Sequence, residues 1–513
     1  MRITNKIMQR NNLSNINTNK IYQDKLSTQM STQKKITRPS DDPVVAIRAL
    51  RLRSNVTEIT QYYSKNIPDA ESWLDVTEDA LKNLTEVITS MISQCTKGSN
   101  GDLTSSDREI IIEQLKALSE EVYSTGDVDY AGRYVFTGYR TDTSLSFSEE
   151  FTQSYEITEQ LNSTAIDTIT KVKTSDLLDI NAANYTGIDV NESKISSVEV
   201  YRIRLAYDDC NADYAPTIEY GASLDADGKV GFTNEIEATV VHSYDNPDPY
   251  TLAADDAYKD KIIYVPETGE LLLGETCYQN LMAAKDDTTT SGVNEGEIRV
   301  TYEKNHWTSG DLRPEHYFYC ESEGIKYNDT YLSGEPNKQS IEYDVGFNQT
   351  IRVNSTADEC FQHGIGREVD DLVEAIQDVV DLEAVKTEIE KLQSTAPDTD
   401  AAILQTQLDA VNKALTLAKD KCQKMFESGI TAFQGYLDDA NLCITNCGTR
   451  SSKLELIENR MQNQKTTFET LKSENEDADI TEVAIQLNSA ELTYEAALMA
   501  TGKVMQTSLL NFI

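Results

Sequence analysis

The sequence predicts an α+β protein. Its two ends are helical and pair as a long antiparallel bundle or coiled coil, and a β-rich insertion separates them. Three observations predict this. From Pro39 to about Cys95 apolar residues recur at spacings of three and four, most cleanly at Ile67, Ala70, Leu74, Thr77, Leu81, Leu84, Ile88, Met91 and Cys95. The tail repeats the pattern at Ile480, Val483, Leu487, Ala490, Tyr494, Ala497, Thr501 and Val504. Between roughly residues 145 and 360 the period falls to two, and 17 of the 26 tyrosines lie there. A three–four alternation holds one stripe on one side of a helix and so demands a partner helix, whereas a period of two marks the faces of a strand.

Taken in order, residues 1–40 form a terminal helix rich in Asn, Gln, Ser and Thr, with thin apolar marks at Ile3, Ile7, Leu13 and Ile16. So few good helix formers make it marginal alone, and it is expected to be disordered in the monomer. Pro39 is expected to break this helix, Asp42 to cap the next, and Pro43 to sit at its first position, where no amide hydrogen is missed. A helix of about 50 residues should then run to Cys95. Ser106 with Glu109 reads as a capping box for a helix striped by Ile111, Leu115, Leu118 and Val122. The segment Tyr130 to Gly138 (Gly132, Arg133, Tyr134, Phe136 and Gly138 among it) reads as a short hairpin closing the first helical part, residues 41–145.

Residues 146–360 are expected to form a β-rich, surface-exposed insert of one or two domains. Tyr201, Ile203, Leu205 and Tyr207 alternate with Arg202 and Arg204, and Pro266–Gly269 and Glu321–Gly324 read as hairpin turns. Helical patterning returns over residues 361–475 from Val369, with a polar break from Ser394 to Asp400. Asp479 with Glu482 is expected to cap the last helix, 476–513.

The charge balance excludes one class of partner. With 46 basic and 86 acidic side chains the chain carries −40, the wrong sign for binding nucleic acid. The charge is uneven: residues 1–66 hold 12 basic and 4 acidic side chains, residues 149–360 hold 15 and 41. A basic arm on an acidic chain is suited to pairing with acidic neighbours, or it is simply a solvated face. No apolar run approaches the roughly 18 residues that span a bilayer, and the polar start of the chain lacks a hydrophobic signal segment.

Four stretches resemble the bacterial flagellin superfamily, and within it the hook-associated protein 3 family that forms hook–filament junctions. They are Met1 to Asn12, Gln29 to Ile36 with Pro39–Pro43, Gly132 to Tyr139, and Asp477 to Ile513. Ile351 to Phe361 also resembles the strand by which such chains return to their helical domain. The resemblance covers about 300 residues, 1–145 and 350–513; the eight cysteines and the size of the insert depart from the pattern. It implies a structural, non-enzymatic subunit exported to the extracellular flagellum without a cleaved signal. The implied partners are the first hook-associated protein, flagellin, other copies of the chain in a ring, and an export chaperone, with neither nucleic acid nor membrane insertion. The implied assembly residues are Ile3, Ile7, Leu13, Ile16, Val504, Leu509, Leu510 and Phe512. Two alternatives stay open: flagellin itself, or an assembly protein whose insert is a glycan-binding adhesin.

No catalytic, cofactor or metal set emerges. The four histidines are scattered and the sequence lacks HExxH, GxSxG and GxxxxGK[ST] motifs. The cysteines form no CxxC pair, and Cys443 with Cys447 share a helix face as expected buried thiols. Asp225-Ala226-Asp227-Gly228 lacks the closing glutamate of a calcium loop and reads as a turn. Trp307 is either an exposed carbohydrate stacker or a packed tryptophan.

Overall fold

Long helices at both ends of the chain and antiparallel sheets between them make up the computed structural model, which describes residues 5–100, 103–224, 230–245, 247–285, 297–328, 331–333, 339–395 and 397–506. The turn read at Asp225–Gly228 lies outside the described residues. The fold class is α+β. The chain divides into two compact units: Met1–Glu71, Tyr343–Ile351 and Ser452–Ile513 form the first, Ser72–Glu342 and Arg352–Ser451 the second.

In the first unit, α1 (Asn5–Thr32) is followed by α2 (Pro43–Gln61). The helix expected to run unbroken to Cys95 is interrupted by a π-helical turn, Tyr62–Asn66, before α3 (Ile67–Gly98), of which Ser72 onward belongs to the second unit. Pro68 supplies the reason. It has no amide hydrogen to donate back to Ser64, and its ring crowds that carbonyl, so the helix widens by one residue there. The Ile67 amide accordingly reaches Tyr62, five residues back. A two-stranded hairpin, β14 (Glu342–Gly346) and β15 (Gln349–Arg352), also contributes to this unit. Its Asp344 carbonyl accepts from the Asn66 side chain at 2.8 Å, and Phe347 meets Tyr62 edge-on at 5.8 Å.

In the second unit, α4 (Ser105–Gly126) is capped two residues earlier than the sequence reading placed it. The reciprocal pair is Thr104 with Asp107, not Ser106 with Glu109. Both pairs fit the pattern, and the earlier one lets the helix start two residues sooner. The hairpin β1 (Asp129–Tyr130) and β2 (Arg133–Tyr134) is only two residues per strand. Ala131 and Gly132 both take positive φ at its tip (53° and 77°), the signature of a tight primed turn. Arg133 lies 4.9 Å over the Trp73 ring. Phe136, buried, packs edge-on against Phe361 at 4.8 Å. Gly138, at φ 63°, lies where a Cβ would strike the Gln339 side chain.

Among the described residues, eleven strands of this unit form two sheets. The first runs β4 (Ile166–Lys173), β5 (Ser196–Arg204), β10 (Glu270–Leu273), β9 (Ile262–Val265) and β8 (Thr239–Val240) in space, antiparallel except for β8 against β9. The second runs β13 (Ile325–Tyr327), β12 (Tyr319–Ser322), β3 (Phe151–Asn162), β11 (Glu297–Trp307), β6 (Thr217–Leu224) and β7 (Val230–Glu237). Helices α5 (Pro249–Ala253) and α6 (Glu275–Lys285) lie between strands in sequence. The turn at Pro266–Gly269 joins β9 to β10, and Glu323 with Gly324 makes the tip between β12 and β13.

Every residue of β9 and β10 is buried, and Val200, Tyr250, Ala253, Ile263, Val265 and Leu272 share one core cluster. Arg202 is buried too (4% exposed), contrary to the solvent face that alternation with apolar residues normally marks. Its guanidinium meets Asp167 at 2.7 Å, Glu270 at 2.5 Å and Asp371 at 2.8 Å, the arrangement a buried cation requires. Trp307, fully buried, stands within 5.3 Å of Phe147, Tyr155 and Tyr207 and donates its indole N–H to Gln153. That packing removes it as a carbohydrate stacker.

After the short α7 (Ala357–Cys360) come α8 (Gly364–Thr395), the 76-residue α9 (Ala401–Glu476) and α10 (Ile480–Gln506). Asp371, which serves Arg202, projects from α8. All eight cysteines are buried and free. Among the described residues no helix is long and apolar enough to cross a membrane, and no group of His, Cys, Asp or Glu gathers as a metal site.

Candidate assembly interface

Residues 5–32 form a helix whose polar composition supplies little core, and what it has is spent on α10. Leu26 (2% exposed) packs with Val483 and Ala490, and Ala478 and Leu487 complete the contact. The helices are antiparallel. Lys34 sits opposite Asp477, while Tyr22, further back on α1, donates to Gln486 at 3.2 Å.

The joined ends are pinned by backbone and charge. Gln33 adopts a left-handed conformation (φ 58°), which stops α1 at Thr32. The helix therefore ends well before Pro39, where the sequence reading placed the break. The reason is the two-rung ladder that follows. The Lys35 amide donates to the Glu476 carbonyl at 2.7 Å and the Ala478 amide to the Gln33 carbonyl at 2.9 Å. Arg53 grips the Glu476 carboxylate with two hydrogen bonds, at 2.6 and 2.7 Å. Lys34 adds an ion pair to Glu476 at 3.6 Å and a close one to Asp477. Glu476 is only 3% exposed. The Arg53 hydrogen bonds hold its carboxyl below the ordinary carboxylate range, and the Lys34 hydrogen bond does the same for Asp477.

Pro39 lies in the connecting loop. Asp41 folds that loop by accepting from the Arg38 amide at 3.0 Å. Asp42 caps α2, its carboxylate accepting from Val44 and Val45 at 3.0 and 3.1 Å, with Pro43 at the first helical position. At the other end Asp479 caps α10 by accepting from the Thr481 and Glu482 amides at 2.9 and 3.2 Å.

Much apolar surface stays uncovered. Of the residues singled out for assembly, Ile7 and Leu13 are exposed (49% and 61%) and Ile16 is half-buried. Ile3, Leu509, Leu510 and Phe512 lie outside the described residues, as does the side chain of Val504. Two features escaped the sequence reading. On α10 a second line, Ile485, Leu492 and Met499, is exposed at 65%, 68% and 67%. On α2, Val44, Ile47 and Leu50 are exposed at 59%, 56% and 63%. A second heptad phase on α10, offset by two residues from the first, was the signal available for the former.

Apolar lines left in solvent are the kind of surface on which helices pack. Residues 3–141 match the bacterial flagellin N-terminal helical region. Two relatives named flagellar hook-associated protein 3 align to the chain: one from Salmonella typhimurium, 31% identical over 143 residues, and one from Escherichia coli K12, 30% identical over 151. These alignments cover 28% and 29% of this chain and 45% and 47% of the relatives, so the chain spans a little under half of their length. A solved putative flagellar hook-associated protein from Vibrio parahaemolyticus aligns over 85% of this chain and all of its own, at 13% identity and a TM-score of 0.33. A flagellar junction protein from Legionella pneumophila aligns over 80% of this chain and 99% of its own, at 11% identity and a TM-score of 0.23. Both structural likenesses are too loose to bear on the arrangement of the chain. The matched residues 3–141 contain α1 to α4 and the hairpin of β1 and β2, hence one half of the α1–α10 pair.

Proposed function

We propose that this chain is a structural subunit of the bacterial flagellum, forming the junction ring between the hook-associated protein and the filament and seating the first flagellin subunits. It works outside the cell, reached by export without a cleaved signal. Its partners are the first hook-associated protein, flagellin, other copies of itself and, during export, a chaperone. It acts through surfaces and performs no catalysis. The terminal segments, residues 1–40 and 476–513, gain full cover only in the assembled tube, and residues 146–360 face outward as the insert.

One observation carries this reading: the flagellin-type N-terminal region ends up in a terminal helix pair whose outward apolar residues are left in solvent. Exposed apolar lines on helices are disfavoured in a lone molecule and favour association. The two aligned relatives are named for association with the flagellar hook, which supports a place beside it.

The test is a strain lacking the gene, viewed by electron microscopy. Hooks without filaments, with flagellin released into the medium, are expected; filaments of normal length overturn the proposal. A chain ending at Lys503 should remain folded yet fail to restore filaments.

A further inference from the structure

Helix α10 carries two seams. Val483, Leu487, Ala490, Tyr494 and Ala497 face α1 or are partly covered, whereas Ile485, Leu492 and Met499 lie two residues on, about 200° around the helix. Seven-residue spacing, with the small residues Ser489 and Ala496 between, gives the outer line knob-and-hole character over about 20 Å. Glu482, Glu491 and Glu495 flank it, Glu491 also accepting from Gln23 of α1 at 3.5 Å, against a single Lys503.

Charge decides what can cover it. A second α10 would bring the same glutamates face to face. The chain's own α1 is committed to the inner seam through Leu26. Helix α2 offers the complement. Val44, Ile47 and Leu50 rise along two exposed turns, and Arg48 and Arg51 flank them, exposed and, among the described residues, without an ion pair. The opposite face of α2 is already occupied: Ala46 and Ala49 are buried, and Arg53 holds Glu476.

We infer that the outer seam of α10, around Leu492 and Met499, binds the α2 ridge Val44–Ile47–Leu50 of a second copy of this chain, with Arg48 and Arg51 set against Glu491 and Glu495. The contact is heterologous, since each copy presents both a ridge and a seam, so it propagates from subunit to subunit and closes only as a ring. This rests on the assembly role proposed above and specifies which surfaces of two copies meet.

Cross-linking between full-length chains tests it. An Ile47→Cys chain is mixed with a Leu492→Cys chain and oxidised; the native thiols are all buried. Mixed dimers are expected in at least tenfold excess over those from either chain alone. Adding Arg48→Glu and Arg51→Glu to the first chain should cut the yield at least tenfold, and Glu491→Lys with Glu495→Lys in the second should restore it. Leu492→Cys chains linking to each other as readily, or a yield indifferent to charge reversal, overturns the pairing. A failed cross-link beside a deletion strain that lacks filaments removes this pairing and leaves the junction role standing. Filaments in the deletion strain remove the junction role whatever the cross-linking yields.

Discussion

Helices α3 and α10 carry the same kind of stripe and meet opposite fates. All nine stripe residues of α3, from Ile67 to Cys95, are at most 1% exposed. Within the second unit the Leu74 carbonyl takes the Cys447 thiol of α9 at 3.4 Å, and a Cβ at Gly98 would lie 2.4 Å from Phe426 of α9. On α10 the stripe is closed only in part. Val483 and Ala490 are buried, Leu487 and Tyr494 half-buried and Ile480 44% exposed, and a second line stands in solvent beyond it. Periodicity announces that a helix needs a partner. It is silent on whether the same chain supplies one, and that difference separates a closed core element from one that keeps apolar surface in solvent.

The comparison can be broken most forcefully at Leu84. Leu84→Ala empties a fully buried site on α3 and should cost about 2–5 kcal/mol of unfolding free energy by chemical denaturation. A change near zero would mean the α3 seam is no more closed than that of α10. Next is Glu476→Gln, which weakens the doubly bonded Arg53 contact. With Arg53 half exposed, about 1–2 kcal/mol is expected, localised to the junction and visible as faster hydrogen exchange at the Lys35 and Ala478 amides.

The same junction should respond to acid. Glu476 and Asp477 have depressed values in the folded chain, so their stabilisation is complete above the ordinary 4.5 and 3.8 and drains away as pH falls below them. Protection of those two amides, relative to the intrinsic exchange rate that itself slows in acid, should therefore fall below about pH 4.5 before the second unit unfolds. Protection that is flat across that range would show that backbone pairing alone holds the ends.

Val483→Ala, on the inner seam, should cost about 1 kcal/mol, read as looser protection of α1. Smallest in stability is Leu492→Ser on the outer seam: within about 0.5 kcal/mol of the parent, yet impaired in filament assembly. A stability loss like that of Leu84→Ala would place Leu492 in a core and erase the contrast.

Much of the fold was legible before any coordinates. The helical ends, the two-period centre, the Asp42 and Asp479 caps and the two hairpin turns follow from local pattern and turn chemistry. The misreadings have local causes as well. Pro68 widens the helix where a continuous stripe reads through. Thr104 and Asp107 outcompete an equally plausible Ser106 and Glu109. Gln33 ends α1 because its carbonyl and the Lys35 amide are claimed by residues 478 and 476, far along the chain. Of the proposed assembly surface, Ile7 and Leu13 stand out in the sequence as apolar marks, whereas the α2 ridge hid in a segment whose other face also reads as core.

The amino-acid order by itself determined that both ends of this chain are helices in want of partners, and that β-structure lies between them. Side-chain period and capping chemistry act within a few residues and need no fold to be read. Only the tertiary structure decided which seams close internally, that Arg202 is buried among three carboxylates, and that Glu476, Arg53 and Lys34 lock the two ends together. Those outcomes depend on residues hundreds of positions apart competing for the same surface, and burial is settled by whichever partner arrives.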